Sequence, residues 1–318
     1  MPQDISGYDV GALLYCPANA HHTVARAVAE ERLPRPFSLA LCLEDTVRAD
    51  ALAAAEQAVR QTLDELTRAA RSHAFYRPLT FVRVRDPAQL ARLGRAYRAY
   101  RPLLTGFILP KFFRETCPAY CAVIRDLQAE GLDYQYMPVF EAPSMVPLHT
   151  RFPYLAEVKA QLDELRACIL NVRVGGNDLC HVFGLRRDPG HTIYDLRPVA
   201  DLLSDLLTTF APDYLVSGPV WEYYNGPGWA EGLARECELD RLNGFVGKTV
   251  IHPNQIPLVN RALQVSPADY ADAKNILAWD DPCLVAPSAE GTRMNEYQTH
   301  SRWAKRVVAL GARYGVHE

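Results

Sequence analysis

The sequence predicts an α/β protein, a TIM (β/α)8 barrel carrying a C-terminal helical extension. Short apolar runs of strand length alternate with amphipathic stretches of helical period, which implies right-handed βαβ units and a parallel sheet. Eight such runs occur, the number that closes into a barrel. They are almost continuously apolar, as strands buried on both faces are. The rival, an open doubly wound sheet, calls for a glycine-rich phosphate turn after its first strand; the chain has CPANAHH there instead of GxGxxG.

The first run is GALLYCP (11–17), followed by FSLALCL (37–43). The helix expected between Ala49 and His73 places Leu52, Ala55, Val59, Leu63 and Leu66 on one face. LTFVRVR (79–85) is the third strand, and Pro87 to Tyr100 the helix after it. TGFILP (105–110), YQYMPVF (134–140) and CILNVRV (168–174) follow as strands four to six. Pro198 to Ala211 is a helix whose apolar face is Val199, Leu202, Leu203, Leu206 and Leu207. DYLVSGP (213–219) and FVGKTVI (245–251) complete the set. The barrel domain is assigned to residues 1–265. Residues 266–318 form the extension: a helix in SPADYADAKNILAW, a loop in DDPCLVAPSAEGTRMNEY and a final helix in SRWAKRVVALGARYG.

Composition narrows the function classes. The 318 residues hold 34 basic and 37 acidic side chains, a formal charge of −3, so no basic footprint for nucleic acid or anionic membrane exists. An apolar content of 49% excludes a disordered chain. No apolar run approaches the roughly 18 residues that span a bilayer. MPQDISGYDV has neither a basic n-region nor an apolar h-region, so a cytoplasmic protein is expected. The eight cysteines form no CxxC pair, and neither disulfides nor zinc are expected. Cys117 and Cys121 share one helical face.

TIM-barrel chemistry sits at the C-terminal ends of the strands. Those ends carry Pro17-Ala18-Asn19, Glu44-Asp45, Arg83 with Arg85, Pro110-Lys111, Glu141, Gly175-Gly176-Asn177-Asp178, Ser217-Gly218 and His252-Pro253. Four carboxylates from three strands thus converge on one mouth with an arginine and a lysine. Such a cluster needs a cation or protons. Oxygen ligands without cysteine point to Mg²⁺, or Mn²⁺, rather than zinc.

The segments LCLEDTV (41–47), FVRVR (81–85), LPK (109–111), VFEAP (139–143), GGNDL (175–179) and GFVGKTVIHPNQI (244–256) resemble the HpcH/HpaI aldolase and citrate lyase beta-subunit family over about residues 10–300. The resemblance implies a TIM barrel and Mg²⁺-dependent cleavage or formation of carbon–carbon bonds in 2-oxo acids or 3-hydroxyacyl thioesters such as citryl- or malyl-CoA. It assigns Glu141 and Asp178 as metal ligands and Arg83 as the grip on a substrate carboxylate, a task suited to a planar bidentate donor. Glu44 and Asp45 match the pair that holds metal-bound water. Lys111 lies at the same mouth, with Asn19, Pro143 and His252 expected at the substrate. His252 also has a structural reading, anchoring the turn before Pro253. In the tail, EGTRMNEYQTHSRWAKR resembles the family segment whose acidic residue reaches a neighbouring subunit's site. That residue here is Glu296, a general acid or base. The same resemblance implies a homo-oligomer, a trimer or hexamer.

Two departures bear on coenzyme A. The arginine that family members using CoA carry before the first strand is replaced by Ser6-Gly7-Tyr8-Asp9-Val10, and the turn after that strand is ANAHH. Three other readings accompany the lyase: an acyl-CoA thioesterase, a Schiff-base aldolase through Lys111, and a non-catalytic barrel binding a metabolite.

Overall fold

The computed structural model describes residues 5–18, 21–45 and 47–317, without the side chains of His21 and His22. Eight parallel strands are present: β1 (Ala12–Pro17), β2 (Ser38–Cys42), β3 (Thr80–Arg83), β4 (Leu104–Leu109), β5 (Gln135–Phe140), β6 (Val172–Val174), β7 (Val216–Ser217) and β8 (Lys248–Val250). They pair in the order β7-β6-β5-β4-β3-β2-β1-β8. A parallel bridge from Gly218 to Lys248 joins β7 to β8 and closes the barrel.

Each expected run holds a strand, but several are shorter than predicted, β6, β7 and β8 most of all. Arg166–Cys168 forms a 3-10 turn, and only an isolated bridge from Ile169 to Tyr136 precedes β6. The apolar run is therefore buried before it becomes strand.

The helices between strands are α1 (His21–Ala29), α2 (Leu52–Ser72), α3 (Pro87–Ala96), α4 (Cys117–Ala129), α5 (Leu148–Asp163), α6 (Gly176–Val182), α7 (Arg197–Phe210) and α8 (Trp229–Asn243). Of these, α2, α3 and α7 form where the period predicts. On α2 the buried side includes Ala55, Val59, Leu63 and Leu66; on α7 it is Val199, Leu202, Leu203, Leu206, Leu207 and Phe210. Asp86 caps α3 by accepting the Gln89 N–H at 2.7 Å, and Pro87 follows at the first position. Cys117 and Cys121 lie on α4, buried, with their sulfurs 3.8 Å apart.

The chain divides into two compact units, Met1–Val259 and Asn260–Glu318, and the division falls within α9 (Ile256–Leu263). The second unit holds α10 (Pro267–Leu277), strands β9 (Val285–Pro287) and β10 (Met294–Glu296), and α11 (Tyr297–Tyr314). The loop expected over 280–297 thus contains a small antiparallel hairpin, too short for periodicity to reveal. No helix among the described residues is long and apolar enough to cross a membrane.

The barrel interior is filled by Val10, Leu13, Ala40, Phe81, Ile108, Met137, Val139 and Leu170, all buried. This apolar plug supports the polar mouth.

Candidate active site

Side chains of a strand alternate between faces, so a step of two residues stays on the inner face. That step carries the chain from plug to mouth: Leu13 to Tyr15, Ala40 to Cys42, Phe81 to Arg83, Val139 to Glu141. On β6 the same count runs from Asn171 through Arg173 to Gly175. The mouth encloses a cavity of about 540 Å³ whose lining includes Tyr15, Asp45, Arg83, Glu141, Arg173 and Asp178.

Arg83 is the hub. Its Nη2 lies 2.9 Å from Glu44, 3.5 Å from Asp45 and 3.6 Å from Glu141. Its Nε is buried without a hydrogen-bond partner, leaving one donor free. Burial works against the charge, but Tyr15, Glu141 and Glu44 outweigh it and the guanidinium pKa is raised.

Lys111 follows β4 with a φ of 50°, unusual for a side-chain-bearing residue. The bend lets its backbone N–H donate to Glu141 Oε1 at 2.8 Å while Nζ reaches Glu44 Oε1 at 2.6 Å and Asp45 Oδ1 at 3.3 Å. The Glu44 contact leads in holding its amine above the usual lysine range. That is the wrong direction for an amine that must lose its proton to form a Schiff base.

Glu44 and Asp45 differ in state. Glu44 is buried, and burial first, then the contact with Asp45, pushes its carboxyl up. Asp45 is 51% exposed. Its partial burial is outweighed by Glu44, Arg83 and Lys111, which hold it low. Asp45 is thus the more readily ionised member of the pair.

Glu141 is 3% exposed. Burial pushes its carboxyl up to about 8; Arg83 opposes this and the charge of Asp178 adds to it. An ionised Glu141 beside Asp178 calls for a cation. The backbone provides room for one. A Cβ on Gly175 would lie 2.3 Å from Glu141 Oε2 and 3.1 Å from Asp178 Oδ2, so both carboxylates face one spot kept clear by a missing side chain. Among the described residues no three or more His, Cys, Asp or Glu side chains form a metal-binding group. Two carboxylates are what Mg²⁺ typically takes from protein, keeping other positions for water and substrate. The donor set therefore fits Mg²⁺.

The structure brings together Glu44, Asp45, Arg83, Lys111, Glu141 and Asp178. The other expected residues stand as follows. Asn19 lies outside the described residues. Pro143 opens a 3-10 turn, and His252 caps another, accepting the Asn254 N–H on Nδ1 at 3.2 Å with its ring stacked 4.6 Å from Tyr224. Neither is among the described residues lining the cavity. Glu296 belongs to the second unit, at the start of α11, where Thr299 donates to its Oε2 at 3.3 Å. Arg85, beside Arg83 in sequence, holds the loop after β2 by donating to the Leu43 and Val47 carbonyls.

Tyr15, Arg173, Thr249 and Glu222 line the cavity but are absent from the sequence-derived set. Inward parity was the available signal for the first three. The lysine of the GKTVIHPNQI segment also has another task. Lys248 Nζ lies 2.9 Å from Glu236 and 2.6 Å from Asp240, all buried, while Gln255 accepts the Ile251 N–H and donates to the Trp221 and Tyr223 carbonyls. That segment is a folding lock beneath the mouth.

Comparisons with known proteins agree with this architecture. Over 96% of the chain and 99% of its counterpart, the fold superposes with a TM-score of 0.62 on CitE from Mycobacterium tuberculosis, solved with magnesium, acetoacetate and coenzyme A, at 22% identity. The citrate lyase beta subunit from M. tuberculosis, complexed with oxaloacetate and magnesium, gives 0.55 at 23% identity over 81% of this chain and 99% of that one. A (3S)-malyl-CoA thioesterase from Cereibacter sphaeroides is 36% identical over 105 residues, 33% of this chain. The match spans 34% of the length of that relative. The family model for the C–C bond lyase of the TIM-barrel fold matches residues 4–316. The chain belongs to that C–C bond lyase family.

Proposed function

We propose that the protein is a Mg²⁺-dependent carbon–carbon lyase of the aldol type, acting on a 2-oxo acid or a 3-hydroxyacyl substrate. The observation that carries this is the convergence of Glu141 and Asp178 on the space over Gly175, beside Arg83. Family membership and the magnesium and oxo-acid complexes of similar structures support it.

When bound, Mg²⁺ would supply a Lewis acid for the oxo oxygen of the substrate. Glu141 and Asp178 would hold it. Arg83, which lines the cavity, offers its guanidinium to the substrate carboxylate as a charge-assisted donor. Glu44 and Lys111 form the pair that fixes Arg83 and Asp45 in place. Asp45, ionised and half-exposed at the rim, takes the proton from the hydroxyl of the bond that breaks. Glu296, a carboxylate lent by a neighbouring subunit of a homo-oligomer, is the second candidate for that proton. The protein is placed in the cytoplasm.

Thioester hydrolysis is the second reading, favoured by the malyl-CoA thioesterase similarity. Free CoA released without a carbon–carbon cleavage product separates it from the lyase. The primary reading is tested with Glu141→Gln and Asp178→Asn, measured by Mg²⁺ titration calorimetry and by oxo-acid release. Both variants are expected to lose metal affinity and turnover together. Full retention of both by each variant refutes the assignment.

A further inference from the structure

Arg173 is 2% exposed, lies on β6 two residues before Gly175, and lines the cavity. Its contacts are to neutral groups. Nη2 donates to Thr249 Oγ1 at 2.6 Å and Nη1 to Asn171 Oδ1 at 3.4 Å, and the Tyr15 phenol lies against it. Its Nε is buried with no hydrogen-bond partner. No carboxylate among the described residues forms an ion pair with it, and Arg83 is a nearby like charge. The contrast inside this molecule is sharp. The other buried arginines, Arg151 and Arg187, pair with Asp205 at 2.7 Å and Glu236 at 3.0 Å. A buried guanidinium without a counter-charge is costly to keep, and a scaffold has no use for it. An anionic ligand removes the cost.

We propose that Arg173 is a specificity-determining residue that receives a second carboxylate of the substrate, so the site selects a short 2-oxo dicarboxylate over a 2-oxo monocarboxylate. This rests on the reading of the mouth as an oxo-acid site. The reach is short because Arg83 and Arg173 approach the same ring: the Arg83 guanidinium carbon is 5.7 Å from the Tyr15 centroid, and Arg173 meets the phenol. A substrate held at Arg83 by its 2-oxo carboxylate end therefore has its far end near Arg173 when only a few carbons separate the two.

The test is calorimetry on the full chain with Mg²⁺, using pyruvate and oxaloacetate, which differ by one carboxylate. The native protein is expected to bind oxaloacetate at least tenfold more tightly. Arg173→Gln is expected to abolish that preference while pyruvate affinity stays within threefold, and Arg173→Lys to restore part of it. The melting temperature of ligand-free Arg173→Gln is expected to be unchanged or raised, because no ion pair is lost. Two results overturn the proposal: Arg173→Gln keeps the preference, or it loses both ligands in proportion with a lowered melting temperature, the mark of a structural arginine. Native protein that binds both ligands equally removes the role of Arg173 alone. Native protein that binds neither removes the oxo-acid reading together with it.

Discussion

Replacing Gly175 with alanine tests the metal cradle with one methyl group. The backbone there, φ −86° and ψ 76°, is accessible to alanine, so the cost is spatial. The new Cβ would lie 2.3 Å from Glu141 Oε2 and 2.5 Å from Glu141 Cβ. Unstrained contacts need about 3.5 Å, so Glu141 must retreat by about 1 Å. It has little freedom to do so, being 3% exposed and tied to the Lys111 N–H at 2.8 Å. Overpacking of this kind costs about 1–3 kcal/mol of stability. A misplacement of about 1 Å at a reacting centre costs about 100-fold in rate, equivalent to about 2.7 kcal/mol of barrier. Gly176→Ala is the control. Its Cβ is also crowded, at 2.6 Å from Pro219 and 2.8 Å from Ile193, but its nearest contacts are apolar. Titration calorimetry with Mg²⁺, turnover and thermal melts distinguish the two. Gly175→Ala is expected to lose Mg²⁺ affinity and turnover beyond its loss of stability, whereas Gly176→Ala loses stability first. Mg²⁺ affinity within twofold of native in Gly175→Ala refutes the cradle.

The other predictions concern charge. Lys248→Met leaves buried Glu236 and Asp240 without their shared cation, and urea unfolding is expected to show a loss of about 3–5 kcal/mol; a loss below about 1 kcal/mol contradicts the lock. The Glu141 carboxyl holds its proton more tightly folded, near 8, than at its ordinary value of 4.5. Its contribution to metal-free stability is therefore complete below about pH 4.5 and lost as pH rises through about 8. Mg²⁺ binds the ionised form, so its thermal stabilisation should grow across that window, and a flat response from pH 6 to 9 contradicts the assignment. Lys111 keeps its proton through Glu44, so borohydride treatment with pyruvate should yield no mass adduct; an adduct at Lys111 revives the Schiff-base route.

How much of this was legible in the sequence depends on the physics of each residue. The eight strands were, because both faces are buried and the runs are almost continuously apolar. The carboxylates were, because a charge at a strand end stands out against such a run. Arg173 was not, since it lies inside VRV, where an apolar neighbour on each side reads as ordinary strand; only inward parity with Gly175 exposes it. Lys248 misleads in the opposite way. Its segment is distinctive, yet its role is to satisfy Glu236 and Asp240 from α8, which no spacing rule connects to β8. Gly175 reads as a turn glycine until Glu141 is seen 2.3 Å from its absent Cβ. Contacts between separate elements carry these roles, and one chain segment cannot show them.

The net charge of −3 conceals a division of labour at the mouth. Arg83 and Lys111 are held by Glu44 and Asp45 at 2.6 to 3.5 Å, so that quartet fixes its own geometry. What remains is separated in space: Glu141, 3.6 Å from Arg83, and Asp178 face the clearing over Gly175, and Arg173 stands on the same cavity without a carboxylate partner. These residual charges would collapse onto each other if flexible. Strand placement prevents it, because Arg173 is held by Thr249 and Asn171 while Glu141 is held by Lys111. The barrel thus keeps a pair of carboxyls and a guanidinium without a carboxylate partner apart in one cavity. A divalent cation answers the first and a substrate carboxylate the second, so metal and substrate each remove a cost the fold sustains without them.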